Sequence, residues 1–262
     1  MLGPIVIPAD YEAWNRKWHA PNGRPLPGRA SRIPDLGGWQ SRYRGPFAFQ
    51  PNNATRRFEY PWAYHAVPLR AGMAVVDLGG GLSGFQFTLA RSGPTVTNVD
   101  PFVDFGSTVG YEATDPQRII DRLNRIYRTR VRLMRCDLVT AALPGASVDV
   151  VYCISTIEHL DADALGATMA EVRRILRPGG RLVLTVDLFL DLAPFTSRSV
   201  NRYGTNVDVA GIVAQSGLTM VAGQPDQLYG FPAFDADRIQ SDLSQYLVGD
   251  YPALTQCLVL GG

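Results

Sequence analysis

Val75-Val76-Asp77-Leu78-Gly79-Gly80-Gly81-Leu82-Ser83-Gly84-Phe85 is an apolar run that ends in an acid and then in a glycine-rich turn. Met73 to Leu78 has the unbroken, β-branched character of a strand buried on both faces, and a helical pattern resumes from Phe85 to Arg91. The stretch therefore reads as strand, tight loop and helix. Gly79 and Gly81 lack Cβ, so the chain can take φ > 0 there and a ligand can lie against the backbone, beside the N–H groups of the helix start. Gly79-x-Gly81-x-x-Gly84 also satisfies a dinucleotide fingerprint, so the glycines alone do not choose between NAD and other nucleotides. Asp77 shifts that balance. A carboxylate two residues before the first glycine repels a pyrophosphate and attracts an ammonium, so the ligand is expected to be cationic near the loop.

Downstream, strand and helix alternate, the signature of an α/β protein with a doubly wound parallel sheet. Thr95 to Val99 reads as the second strand and ends at Asp100, about 20 residues past the glycines, where a carboxylate can accept bonds from both hydroxyls of a ribose. The alternative is that Asp100 only caps the next turn. A polar loop over 105–114 leads to an amphipathic helix from Pro116 to Arg128, and Val131 to Met134 forms a third strand followed by Asp137 and Leu138. Val148 to Ile154 is a fourth strand that opens into Ser155-Thr156-Ile157-Glu158-His159-Leu160 at the carboxyl edge of the sheet, the place to look for chemistry. Asp161 to Leu176 reads as a crossover helix stopped by Arg177-Pro178-Gly179-Gly180, Arg181 to Val186 as a fifth strand, and Asp187 to Tyr203 as a long excursion over the same edge. A helix from Val207 to Ser216 and strands at Leu218–Ala222 and Thr255–Leu260 complete the pattern, the last two suiting an antiparallel edge pair.

Asp77 with Gly79, Gly80 and Gly81 resembles motif I of the class I S-adenosylmethionine (SAM) dependent methyltransferases, with Ser83 where a third glycine often falls. The resemblance covers residues 72 to 223 by motif. It implies a mostly parallel, seven-stranded Rossmann-like sheet with the last strand reversed, and SAM as the cofactor. By the same resemblance Asp100 holds the ribose, Pro101 and Phe102 flank the adenine, Asp137 and Leu138 meet its amino edge, and Ser155 touches the cofactor. The Ser-x-x-Glu-His-Leu loop resembles that of small-molecule members of the family, which makes His159 the leading base. The alternative is a histidine that orients its loop, and Glu158 is expected to be structural. A related metal-holding pattern fails at Ser155, so no metal site is expected.

The expected function is SAM-dependent methyl transfer to O or N, rather than C, of a small molecule, in secondary metabolism or sugar modification. Two alternatives stay open: a SAM-binding relative without turnover, and an NAD-dependent oxidoreductase. With 262 residues, 46% of them hydrophobic, the chain can bury one sizeable α/β core plus an appended segment. The 25 Lys and Arg residues nearly balance 24 Asp and Glu, which argues against nucleic acid or an acidic membrane as a partner. Cys136, Cys153 and Cys257 are odd in number and widely spaced, as reduced thiols of a cytoplasmic protein would be, and no secretory signal or membrane span is evident.

Residues 1–55 are rich in Pro and Gly, so little regular structure is expected there, yet Trp14, Trp18, Trp39, Tyr43, Phe47 and Phe49 are too many for a free tail. This segment is expected to be an arm packed on the core or on a second copy of the chain, or else a lid, beside a cofactor-binding domain over 56–262. A helical or mixed segment, broken at Pro61, is expected to deliver the chain from Asn53 to Val67 before the first strand.

Overall fold

The computed structural model describes residues 1–28, 38–102 and 115–262. Its sheet has seven strands in the order β3-β2-β1-β4-β5-β7-β6. The strands are β1 (Ala74–Leu78), β2 (Thr95–Val99), β3 (Arg132–Met134), β4 (Val148–Ile154), β5 (Leu176–Phe189), β6 (Thr219–Ala222) and β7 (Ala253–Gly261). The first five run parallel, and β7 lies antiparallel between β5 and the edge strand β6. The order of strands reverses between β1 and β4, which leaves a crevice at their carboxyl ends.

Alternation along the central strands explains the layers. Val75, Val150 and Val183 face one apolar cluster, while their neighbours Val76, Val151 and Leu184 face another. The second cluster is closed by α6 (Ala162–Ile175) and α7 (Val209–Ser216) through Met169, Val172 and Ile212. The first is closed by α1 (Ala9–Trp18), α3 (Arg56–Ala66), α4 (Phe85–Arg91) and α5 (Pro116–Tyr127), with Trp14, Phe58, Phe85 and Leu123 at its centre. Helix starts follow the side-chain chemistry: Asp115, Asp161 and Asp208 each accept a bond from a first-turn N–H.

Four expectations need correction. The first 55 residues carry regular structure: α1, α2 (Trp39–Arg44) and a 3₁₀ turn over Pro46–Phe49, with Trp14 and Phe47 in the main core. The hydroxyl of Tyr127 in α5 donates to the carbonyl of Ser41 in α2 at 2.6 Å. Secondly, α3 is not broken at Pro61. Proline cannot donate to the carbonyl four residues back, at Arg57. Asn15 Nδ2 of α1 donates to that carbonyl instead, at 2.8 Å, so the helix runs through.

Thirdly, α6 passes directly into β5, and Arg177-Pro178-Gly179-Gly180 is an irregular stretch of that strand rather than a gap before it. Fourthly, β5 extends to Phe189, so Asp187 is a buried strand residue paired with Thr255 and not part of a surface excursion. Antiparallel pairing to the long β7 supplies the main-chain partners for that extension. The loop expected over 105–114 lies outside the described residues.

A candidate active site at the switch point

The glycine turn is held from three sides. Gly79 has φ +68°, and a Cβ there would come within 2.3 Å of the Thr156 side chain, so only glycine fits against the loop after β4. At Gly81, φ +52°, a Cβ would meet Gln50 Oε1 at 2.5 Å, and that same oxygen accepts from Leu82 N at 2.8 Å. Gln50 belongs to the N-terminal arm, which therefore closes directly on the turn. Gly80 packs on Asp77 Oδ2. From below, Asn98 Nδ2 donates to Gly81 O at 2.8 Å.

A cavity of about 450 Å³ opens along this turn. Gly79, Gly81, Asp100, Pro101, Phe102, Asp137, Leu138, Ser155 and His159, all singled out from the sequence, line it together. Asp100 accepts from Gly81 N at 2.8 Å and from Phe102 N at 2.7 Å, so it also caps its own turn, and each carboxylate oxygen keeps a lone pair for a ligand. Burial raises its pKa against the pull of those two N–H groups. Asp137 is exposed and bonds Thr140 N and Oγ1, both at 2.7 Å, which hold its carboxyl below the usual range. Ser155 adopts φ +41°, an uncommon conformation for a residue with Cβ, at the point where β4 meets the site. His159 is exposed at the end of a 3₁₀ turn over Ile157–His159.

Asp77 and Gly80 face a second cavity of about 60 Å³, shared with Arg56, Tyr60, Gly79 and Ser155. Asp77 is 2% exposed and its Oδ2 has no hydrogen-bond partner. Burial, and secondarily the Asp100 charge, pushes its pKa up to about 8. A buried carboxylate in this state favours a cationic partner.

Beneath this cavity lies a charged cluster that sequence reasoning did not assemble. Arg56 Nη1 bonds both oxygens of Glu59, at 2.5 and 2.6 Å, and Ser155 Oγ at 2.8 Å, with Asp187 Oδ1 at 4.0 Å. Ser155 Oγ and Thr185 Oγ1 also donate to Glu59 Oε2, at 2.9 and 2.8 Å. Burial works against the Glu59 charge, but Arg56, with the Thr185 hydroxyl, overcomes it and lowers the pKa. Asp187, buried beside Arg56 and Glu59, is pushed up to about 6 by burial, which Arg56 only partly offsets. Glu158 is raised well above the carboxylate range by burial and by Asp187; it accepts from Asp187 N at 3.2 Å, the structural use expected of it. The one early signal was the Arg56–Glu59 spacing, since residues three apart face each other on a helix. Among the described residues no group of three or more His, Cys, Asp and Glu side chains is placed to hold a metal ion.

Residues 76–184 match the methyltransferase domain family. That region is a methyltransferase domain of the class I, SAM-dependent type. A sterol 24-C-methyltransferase, ERG6B of Gibberella zeae, is 26% identical over 182 residues, 68% of this chain, and the chain spans only 45% of that relative. Among solved structures, the 1,6-didemethyltoxoflavin-N1-methyltransferase of Burkholderia thailandensis aligns over 100% of this chain and 95% of its own, with TM-score 0.50 and 17% identity. A geranyl diphosphate methyltransferase aligns over 93% of this chain and 98% of its own, with TM-score 0.50 and 17% identity. The [4+2]-cyclase SpnF has TM-score 0.51 at 14% identity, over 77% of this chain and 79% of its own. At such identities these likenesses describe the fold of the methyltransferase domain and not its acceptor. No helix among the described residues is long and apolar enough to cross a membrane.

Proposed function

We propose that this protein transfers a methyl group from SAM to an oxygen or nitrogen of a small molecule. The observation that carries this reading is Asp77, a buried carboxylate with an unpartnered oxygen, facing a small cavity whose opposite charge is Arg56. A cavity lined by one acid and one guanidinium suits the zwitterionic amino-acid end of SAM, and a pyrophosphate would meet the acid unfavourably. Asp100 would then take the ribose, Pro101 and Phe102 the faces of the adenine, and Asp137 with the Leu138 N–H its edge, while Gly79, Gly80, Gly81 and Ser155 shape the wall. Bound SAM supplies a methyl already activated by its sulfonium.

The chain's own part is placement: aligning the acceptor, excluding water and receiving one proton. His159, on the wall of the larger cavity, is the base that the sequence suggests. Residues 1–55 serve as an arm that completes the site through Gln50, beside a methyltransferase unit over 56–262. Three free cysteines fit a reducing, cytoplasmic setting.

Calorimetry against SAM, S-adenosylhomocysteine and NAD is the direct test, with binding of the first two expected. Heat from NAD and none from SAM would overturn the reading. Mass spectrometry with methyl-labelled SAM and oxygen, nitrogen and carbon acceptors then separates a live enzyme from a relative that only binds the cofactor.

A further inference from the structure

A third cavity, of about 370 Å³, shares Gln50 and Pro51 with the larger of the other two and Gln50 and Arg56 with the smaller, and is walled by Asn53, Tyr203, Asp250 and Tyr251. None of its far wall belongs to the motifs described above. Tyr203 and Tyr251 stack with ring centroids 4.1 Å apart and planes at 22°. Asn53 is 9% exposed; its Oδ1 accepts from Asp250 N at 2.7 Å, and its Nδ2 lies beside the Tyr251 hydroxyl without a hydrogen bond of normal geometry. A buried, unused donor on a cavity wall is costly unless something enters to accept from it. The Tyr251 hydroxyl donates to Asp187 Oδ2 at 2.8 Å. Ser155 Oγ, which gives its proton to Glu59, lies 3.3 Å from the other oxygen of Asp187, and Ser155 lines both cofactor cavities. One chain of polar contacts thus joins the third cavity to the cofactor wall.

We propose that this cavity is the methyl-acceptor compartment, that it takes an uncharged aromatic ring bearing a hydroxyl or a ring N–H, and that Tyr251 and Asp187 receive the proton this group loses. The proposal rests on the SAM reading for the position of the reacting methyl. The size suits a one- or two-ring molecule, and paired tyrosines with Pro51 offer flat apolar walls. Asp250 on one side disfavours a phosphorylated or carboxylated acceptor, and Arg56 on the other disfavours an ammonium. A neutral ring meets neither penalty, and its oxygen or nitrogen can accept from Asn53 Nδ2.

The proton balance is closed. The acceptor X–H bond breaks and its proton passes to Tyr251 Oη as the Oη–H proton passes to Asp187 Oδ2. X keeps the electron pair that bonds the methyl, in exchange for the methyl–sulfur bond, whose electrons stay on sulfur. Asp187 ends as a neutral acid and returns its proton through Tyr251 to water when product leaves. Burial and the neighbouring Asp187 push the Tyr251 pKa up, which suits a neutral relay rather than a standing phenolate. The groups facing Asp187 are Arg56 and Glu59 from α3, Glu158 from the turn after β4, and Tyr251 ahead of β7. His159 lines the larger cavity and not this one.

The test uses the full chain saturated with S-adenosylhomocysteine for binding, and with labelled SAM for turnover. The probes are 1-naphthol, 8-hydroxyquinoline and benzimidazole, set against hexylamine and glycerol 3-phosphate. The aromatic probes are expected to bind, and Asn53→Ala to weaken them roughly tenfold with SAM affinity unchanged. Tyr251→Phe is expected to lower kcat roughly 100-fold while KM and SAM affinity stay within about three-fold. Wild-type kcat is expected to fall below pH about 6, where Asp187 is already protonated, and Asp187→Asn to abolish that limb. Binding of none of the aromatic probes, preference for the amine or phosphate, or a Tyr251→Phe rate within three-fold of wild type overturns the proposal. Failure to bind SAM at all would instead overturn the cofactor reading.

Discussion

The glycine-turn side of the site and the tyrosine side are built on opposite plans. The first uses main chain and single acids at strand ends, and leaves Asp77 buried with Oδ2 unpartnered, so its carboxyl keeps a proton up to pH about 8 until a cation arrives. The second holds its cation among its own carboxylates: Arg56 faces Glu59 and Asp187, and Asp187 accepts from the Tyr251 hydroxyl. One side stores an electrostatic demand for its ligand, whereas the other meets most of its demand from within the chain.

The contrast is broken most severely at Arg56. Arg56→Met leaves Glu59 and Asp187 buried without their cation and is expected to cost about 3–5 kcal/mol in urea unfolding at pH 7. A loss under about 1 kcal/mol would mean that the carboxylates simply take up protons, and that the network is not charge-compensated after all.

Asp77→Asn should act in the opposite sense on stability and binding. Its folded pKa of about 8 lies above the unfolded value near 3.8, so the ligand-free protein binds the extra proton and loses stability as pH rises from about 4 to 8. Asparagine removes that slope, so the variant is expected to be more stable than wild type at pH 8 yet to bind SAM about 1.5–3 kcal/mol more weakly. Calorimetry and thermal unfolding across pH read both effects. A variant destabilised at pH 8 with intact SAM affinity would show that the side chain already has its partner.

This contrast also decides what could be read from the chain. Asp77, Gly79, Gly81, Asp100 and Asp137 sit at strand ends, where local pattern fixes their position, and the structure brings them to one cavity wall or its neighbour. Seven strands with the last one reversed were implied by the resemblance that the same motifs carry. Arg56, Ser155, Asp187 and Tyr251 are joined only by tertiary packing, across 195 positions from Arg56 to Tyr251, and no local pattern ties them. Asp187 was read as a loop residue because the strand signal fades at its charge, and pairing with β7 restores it. The helices in residues 1–55 were obscured by proline and glycine, whose backbone cost is met by aromatic burial such as Trp14 and Phe47.

Smaller changes sharpen the comparison away from the charges. Asn15→Ala removes the donor that stands in for the missing N–H of Pro61, and is expected to cost about 1 kcal/mol of stability with methyl transfer unchanged. An altered rate would mean that the arm tunes the site through α3. His159→Ala separates the two candidate bases: a rate within about three-fold of wild type leaves proton removal to Tyr251 and Asp187, whose cavity His159 does not line. A drop of about 100-fold would return the base to the loop after β4 and bring the acceptor to the other wall.

Gln50 touches all three cavities while its Oε1 holds Leu82 N, so a single short piece of the arm is a party wall between the two ligands. Thermodynamic reciprocity then binds their occupancies together. By whatever factor one ligand, in settling Gln50 to Asn53, changes the affinity of the other, the second changes that of the first by the same factor. The affinity measured for either ligand alone is consequently only half of a thermodynamic square, and its remaining side is read with the other ligand in place.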